Sequence, residues 1–560
     1  MLNISELSIA FGKNTIVHEL GFNLGHGESL GIVGESGSGK SITALALMGL
    51  LPTNARVISG IAKININENH VLNLLDLSQD EHRKIRGKHI AMVFQEPMTA
   101  LNPTMRCGKQ VEESIILHQR ISKKDAKEKC LSLLKEMQLP DPEKAYKSYP
   151  YQLSGGQKQR IVIAIALAGN PSILIADEPT TALDVTVQKE ILALLKRIQE
   201  NRNMGLLFIS HDLCVISEIT NNLLVMKDGA VVEKGYTQDL LTNPQHSYTK
   251  GLVACRPPVT SRPLKLPTIN DYTGQPDNVK EITNKEWEKT NSKIYSQTPV
   301  LEVKKVDVAY TIKRNFLGKP TEVFEAVKGL DFKLYPGETL GLVGESGCGK
   351  TSIGRAIMGL ASYNKGQITY LGKEICKMDE LDLQKFRREV QFIFQDPFSS
   401  LNPRHTIGEA IMEPLKFHRI VKGFENRSKR VKELLSLVAL PQDSYLRYPH
   451  EFSGGQRQRV AIARALSLEP KVLVCDEIVS ALDVSVQAQI LNLLNKLKRE
   501  LGLTYVFISH DLAVVKYMSN RMLVMQDGKK LEYGDSDTIY SNPKTDYAKR
   551  LINSVPGKDD

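Results

Sequence analysis

Two stretches of this chain could wrap a phosphate tail: Gly34-Glu35-Ser36-Gly37-Ser38-Gly39-Lys40-Ser41 and Gly344-Glu345-Ser346-Gly347-Cys348-Gly349-Lys350-Thr351. Their glycines let a loop curl until its amides point inward, and a helix starting behind the loop adds its positive end. Lys40 and Lys350 then reach the outer phosphate oxygens, while the hydroxyls of Ser41 and Thr351 can ligate Mg²⁺. Further pairs follow in the same order in each copy. Gln95 returns as Gln395, Ser154-Gly155-Gly156-Gln157 as Ser453-Gly454-Gly455-Gln456, Asp177-Glu178 as Asp476-Glu477, and His211 as His510. The chain is a duplicated unit with both copies of the chemistry retained.

Asp177 and Asp476 end apolar stretches, where a carboxylate costs energy unless it is paired or binds a metal. An aspartate holding hydrated Mg²⁺ beside a glutamate (Glu178, Glu477) polarising water suits in-line transfer of the terminal phosphoryl group of ATP. Ser154 and Ser453 read as helix N-caps. The glycines behind them leave amides uncovered, making a second anion-binding helix end that gains a phosphate only if presented to the loop of the other copy.

These groups need a parallel sheet behind them. Each copy opens with a strand pattern, Leu2 to Phe11 and Leu301 to Tyr310, and a second strand feeds each glycine loop, Ser29 to Val33 and Thr339 to Val343. Apolar helices are expected behind the loops, Ile42 to Leu51 and Ser352 to Leu360, and longer ones behind the serines, Lys158 to Leu167 and Arg457 to Leu466. Continuous apolar runs at Ile173 to Ala176 and Val472 to Cys475 read as strands covered on both faces. Similar runs, Leu206 to Ile209 and Tyr505 to Ile508, precede the histidines.

With 560 residues, the repeat divides the chain into a first domain at 1–255, a linker at 256–299 and a second domain at 300–555. The linker opens with Pro257, Pro258, Pro263 and Pro267 and leaves room for a small docked element around Trp287. Hydrophobic and charged contents of 41% and 24% fit a globular chain, and no apolar run approaches the ~18 residues that span a bilayer. Met1 to Ser5 lack the basic and apolar regions of a secretory signal. The 7 cysteines show no Cys-x-x-Cys spacing, which points to a reduced compartment without a zinc site. The net charge of +10 suits an anionic ligand, a membrane surface or nucleic acid.

In this order the motifs resemble those of the ABC-transporter ATPases: glycine loop, glutamine, Ser-Gly-Gly-Gln signature, Asp-Glu pair, Ala-Leu-Asp turn and histidine. The resemblance implies an α/β fold of two tandem P-loop NTPase domains. Each has a mixed, mainly parallel sheet core, an antiparallel β subdomain and a helical signature subdomain. It implies that the halves clasp head to tail as an intramolecular pseudo-dimer, Lys40 working with Ser453 and Gly455, and Lys350 with Ser154 and Gly156. It makes Gln95 and Gln395 metal-sensing groups, His211 and His510 γ-phosphate contacts, and Asp184 and Asp483 coupling groups. Phe11 and Tyr310 become candidates to stack on adenine.

Finer wording narrows the resemblance. Asp177 to Gln188 is similar to the first ATPase of oligopeptide/dipeptide/nickel importers, and Ser480 to Gln487 to their second. Asn243 to Thr249 and Asn542 to Tyr547 resemble the segment closing each subunit. The implied protein is peripheral on the cytoplasmic face of the inner membrane. Its partners are two transmembrane permease subunits and, indirectly, a substrate-binding protein; nucleic acid is not among them. A soluble fused ATPase acting on ribosomes or nucleic acid is the alternative, and export a lesser one. Ile478 stands where the family has proline, and Ile165 where the second copy has Arg464. Many members of that group carry a cysteine cluster for an iron–sulfur centre after the first domain; here only Cys255 is nearby, so no cluster is expected. Cys348, at the start of a helix, is expected to have a lowered thiol pKa, to react with thiol reagents and to be protected by ATP.

Overall fold

Leu2, Asn3 and Ile4 alternate buried and exposed at the start of the first strand, as on a sheet with one face on the core, and from Leu7 to Ala10 both faces are covered. In the computed structural model the described residues are 1–67, 70–95, 100–181, 183–273, 280–314, 320–397, 400–480 and 482–555. They divide into two units, one holding Met1–Ala254 with residues 269–273, the other holding Cys255–Thr268 and residues 280–555. Ala182 and Ala481, the first residues of the Ala-Leu-Asp turns, lie outside the described residues.

In the first unit β1 (Leu2–Phe11), β2 (Asn14–Leu24), β4 (Ala55–Asn67) and β5 (His70–Asn73) form an antiparallel sheet in the order β2-β1-β4-β5. A second sheet runs β10-β9-β3-β8-β7-β6, from β3 (Ser29–Val33), β6 (Ile90–Val93), β7 (Ile173–Asp177), β8 (Gly205–Ser210), β9 (Asn222–Lys227) and β10 (Ala230–Tyr236). It is parallel except for β10. Ala44 and Leu47, on helix Lys40–Leu47, share one buried cluster with Leu7 and Ile9 of β1 and Ile32, Ile175 and Ile209 of the larger sheet. Helices Cys107–Gln119, Lys123–Glu136 and Gly155–Leu167 pack together as a helical subdomain.

The second unit repeats this plan. Its antiparallel sheet is β12-β11-β14-β15, from β11 (Leu301–Arg314), β12 (Pro320–Leu334), β14 (Lys365–Tyr370) and β15 (Lys373–Glu374). Its larger sheet is β16-β17-β18-β13-β19-β20, from β13 (Thr339–Val343), β16 (Val390–Ile393), β17 (Val472–Asp476), β18 (Thr504–Ile508), β19 (Arg521–Gln526) and β20 (Lys529–Asp535). This is the sheet, β subdomain and helical subdomain expected from the sequence.

Boundaries moved where polar residues hid a helix end. The helices behind the glycine loops span Lys40–Leu47 and Lys350–Ile357, starting and stopping earlier than expected. Their stop is a Schellman motif: Gly49 (φ 61) and Gly359 (φ 68) turn left-handed, and the amides of Leu50 and Leu360 reach back to the carbonyls of Leu45 and Arg355.

Residues 256–268 and 280–299 belong to the second unit and are held in it by side chains of their own. The Arg262 guanidinium lies 3.7 Å from the Trp287 ring centroid and donates to the carbonyls of Tyr517 (3.1 Å) and Ser519 (3.4 Å), to Ser536 Oγ (3.3 Å) and to Asp537 Oδ1 (2.9 Å). Asn492 pairs with both backbone groups of Leu266, and helix Asn284–Tyr295 is tied by Asn520 Nδ2 donating to Asn291 Oδ1 at 2.8 Å. Among the described residues, no helix is long and apolar enough to cross a membrane.

Candidate nucleotide site

Sheet topology gathers the dispersed motifs. Strands β3, β8, β7 and β6 are consecutive parallel neighbours, so the glycine loop, His211, Asp177-Glu178 and Gln95 leave the sheet at one edge. In the second unit β13, β18, β17 and β16 do the same for the loop, His510, Asp476-Glu477 and Gln395. The carboxyl edge of a parallel sheet is where α/β folds bind ligands.

Both loops are curled. Lys40 Nζ donates to the carbonyls of Gly34 (2.7 Å) and Glu35 (2.8 Å), and Lys350 Nζ to those of Gly344 (2.6 Å) and Glu345 (2.8 Å). Each ammonium is thus held inside its own loop, where an incoming phosphate would replace carbonyls as its partner. Only glycine fits the first loop position: a Cβ on Gly34 or Gly344 would stand 2.2 Å from the carbonyl oxygen of Met226 or Met525. Ser36, Gly37, Ser346 and Gly347 form the loop tips, and Ser38 and Cys348 are buried beneath them.

Behind each loop, Ser41 Oγ donates to Asp177 Oδ1 and Thr351 Oγ1 to Asp476 Oδ1, both at 3.0 Å. Burial pushes each aspartate up to about 6, offset in part by these hydroxyls. A hydroxyl and a buried carboxylate are hard oxygen donors, and a divalent cation between them would remove the cost of that buried charge. The residues present therefore fit a small, hard metal ion.

The glutamates sit differently. Glu178 and Glu477 have left-handed backbones (φ 47 and 48), held by their amides donating to Ile209 O and Ile508 O at 2.9 Å. Strain of this kind persists only where surroundings enforce it. The Glu178 carboxylate accepts from Gln95 Nε2 (2.7 Å), His211 Nδ1 (3.0 Å) and Thr181 Oγ1 (3.0 Å). Glu477 accepts from Gln395 Nε2 (2.9 Å) and pairs with His510 Nδ1 at 3.3 Å, whereas Ser480 Oγ turns to the Glu477 carbonyl. Burial raises both glutamates, but their histidines outweigh it, bringing Glu178 down to about 2 and lowering Glu477. Aspartate and glutamate, adjacent in sequence, are thus driven apart in proton affinity.

Ser154 and Ser453 are exposed and cap helices Gly155–Leu167 and Gly454–Leu466 by capping boxes with Gln157 and Gln456; Gly156 and Gly455 are buried in the first turn. Asp184 caps helix Val185–Asn201, its Oδ1 accepting from Val187 N at 2.9 Å. Phe11 ends β1 half-buried, and Tyr310 lies 39% exposed on β11. Cys348 corrects the expectation of a lowered thiol pKa: it is 6% exposed, and burial, more than Lys350 can offset, pushes its thiol up.

Sequence reasoning missed two residues. The buried Tyr248 accepts from the Glu35 amide at 3.0 Å through its hydroxyl, and Tyr547 from the Glu345 amide at 2.9 Å. Each anchors its loop from about two hundred positions away. Their sequence signal is the repeated Asn-Pro segment, Asn243 to Tyr248 and Asn542 to Tyr547.

Comparison with known proteins identifies the family. The ABC transporter family matches residues 17–181 and 327–480, and the oligopeptide/dipeptide transporter C-terminal region matches 232–283 and 531–560. The chain is 44% identical over 570 residues to the glutathione import ATP-binding protein GsiA of Pectobacterium atrosepticum, covering 100% of this chain and 90% of that protein. It is 43% identical over 566 residues to GsiA of Escherichia coli O6:H1, covering 99% and 89%. It is also similar to a solved dimeric ATP-binding cassette bound to ADP and Pi, at 31% identity and a TM-score of 0.38 over 42% of this chain and 98% of the other. With both halves matched and relatives aligned over 99–100% of this chain, the chain belongs to the ABC transporter family, as a tandem ATP-binding subunit of its oligopeptide/dipeptide group.

Proposed function

We propose that the chain is the ATP-hydrolysing engine of an importer for glutathione or similar short peptides, working through two separate membrane-spanning permease subunits at the cytoplasmic face of the inner membrane. The observation that carries it is the duplicated cradle: in each half, a curled loop with its lysine, a hydroxyl–aspartate pair and a histidine-held glutamate lie at one sheet edge. Likeness to an import subunit over 100% of this chain and 90% of that protein favours this over the ribosome-acting alternative.

In each half the loop amides, with Lys40 or Lys350, would bind the β- and γ-phosphates of ATP. Ser41 with Asp177 and Gln95, and Thr351 with Asp476 and Gln395, would hold Mg²⁺, which neutralises charge on the phosphates when bound. Glu178 or Glu477 would orient and deprotonate the attacking water, and His211 or His510 would fix that carboxylate and then contact the γ-phosphate. Phe11 and Tyr310 would take the adenine. Ser154 with Gly156, and Ser453 with Gly455, would complete the site of the opposite half when the domains at 1–255 and 300–555 clasp around two nucleotides. ATP binding would close that clasp and product release reopen it.

The test is uptake of radiolabelled glutathione by cells that lack the chain and have it restored. Restoration by the parent and failure of a Lys40→Ala, Lys350→Ala double variant are expected. Unchanged uptake without the chain refutes the importer assignment. Sedimentation of the purified chain with ribosomes, and not with permease-containing membranes, would favour the alternative.

A further inference from the structure

The second unit places two aromatic rings in solvent beside its glycine loop. Tyr310 on β11 and Phe324 on β12 are 39% and 51% exposed and are direct partners in strand register. Directly opposite residues share one sheet face with Cβ atoms about 4.5–5.5 Å apart. A Cβ on Gly349, the residue before Lys350, would stand 2.2 Å from the carbonyl oxygen of Ala326 and 3.2 Å from Val327 Cγ2. The loop backbone therefore touches β12 two positions from Phe324.

The first unit has the same construction without the second ring. A Cβ on Gly39 would stand 2.8 Å from Val17 Cγ2 and 3.3 Å from Ile16 O, so Ile16 and Val17 take the places of Ala326 and Val327. Two positions before Ile16 is Asn14, exposed, whose register partner is Phe11. Tyr310 with Phe324 thus corresponds to Phe11 with Asn14.

We infer that Phe324 is a base-recognition residue: with Tyr310 it gives the second half a two-ring platform for adenine, where the first half offers one ring beside an amide. This rests on the nucleotide reading of both loops. Exposed aromatic faces gain most from large, flat partners, and stacking is sensitive to ring area. The second half should therefore hold ATP more tightly and discriminate more strongly against a pyrimidine triphosphate. The two sites of one chain would differ in base affinity although their phosphate machinery is alike.

The experiment is equilibrium binding of ATP and of CTP to the full chain. Lys40→Ala isolates the second site and Lys350→Ala the first. In the Lys40→Ala background, Phe324→Ala should weaken ATP about tenfold and CTP by less than threefold, and Phe324→Tyr should restore ATP affinity. In the Lys350→Ala background, Asn14→Phe should strengthen ATP severalfold, a gain that misfolding cannot produce. ATP affinity within twofold of the parent for both Phe324→Ala and Asn14→Phe overturns the inference and leaves the pair as surface for another partner. Parent-like ATP binding by the Lys40→Ala, Lys350→Ala double variant would instead overturn the nucleotide reading itself.

Discussion

Removing the Arg262 side chain should loosen residues 256–268 and helix Asn284–Tyr295 from the rest of the second unit. Its guanidinium is 9% exposed, stacks on Trp287 and serves two backbone carbonyls, a hydroxyl and a carboxylate. In Arg262→Ala the carbonyls of Tyr517 and Ser519 lose a charged donor inside the protein, which costs ~1–3 kcal/mol. Loss of the cation–π stack on the half-buried Trp287 adds ~1 kcal/mol. The Asp537 side chain is 39% exposed and can rehydrate, so its share is small. These contributions overlap, and we expect a net loss of about 3 kcal/mol. For a unit of this size that lowers its melting transition by about 5–10 °C. Arg262→Lys should fall between, since an ammonium keeps the charge and loses the planar fork. Calorimetry of the full chain gives the transition, and hydrogen exchange gives protection over residues 284–295 and 512–520. A shift below 2 °C with unchanged exchange in both segments would refute the reasoning, because a clamp that can be deleted freely is not holding anything.

Glu178→Gln and Glu477→Gln should each lower ATP turnover at least ~10²-fold while ATP stays bound, measured as steady-state hydrolysis and retained nucleotide; full activity in either variant would make that site regulatory. Asp177 and Asp476 have folded pKa values raised to about 6 by burial, so their favourable contribution is complete below pH 3.8 and fades as pH rises through about 6. A metal needs the carboxylate form, so Mg²⁺–ATP binding should release protons near pH 6, measured by titration calorimetry in two buffers of different ionisation heat. Asp177→Asn should reduce that release, and equal release would count against the metal assignment. Cys348, buried and with its thiol pushed up, should alkylate at least ~10-fold more slowly than the exposed Cys376 at neutral pH. Mass spectrometry of partially labelled protein gives the order, and prior labelling of Cys348 would contradict the buried placement.

Much of the site was legible because phosphate chemistry demands particular residues at short spacing. Gly34 to Ser41, the Asp-Glu pairs and the histidines after apolar strands are local patterns, and each falls on the element it was assigned to. Other features were hidden because they depend on distant partners. Tyr248 and Tyr547 anchor the loops from the far end of each unit, and nothing near them in sequence names a loop amide as their partner. The sequence leaves room for a docked element around Trp287 but does not show Arg262 as what holds it, because the other partners of Arg262 are at 517 to 537. For Cys348 the backbone amides and Lys350 favour a lowered thiol pKa, as the local sequence suggests, but burial set by the surrounding fold outweighs them.

The duplication, the order of the motifs and the identity of each chemical group were determined by the linear chain, since loop curl and the kind of donor or acceptor a side chain offers are properties of residue type and short spacing. Which strands are neighbours was not. Only the packed sheet order β3-β8-β7-β6 brings Lys40, His211, Glu178 and Gln95 to one edge, and its repeat does the same in the second half. Tertiary burial then raised Asp177 and let His211 hold Glu178 down, because the dielectric and the hydrogen-bond partners around a carboxylate are set by residues far along the chain.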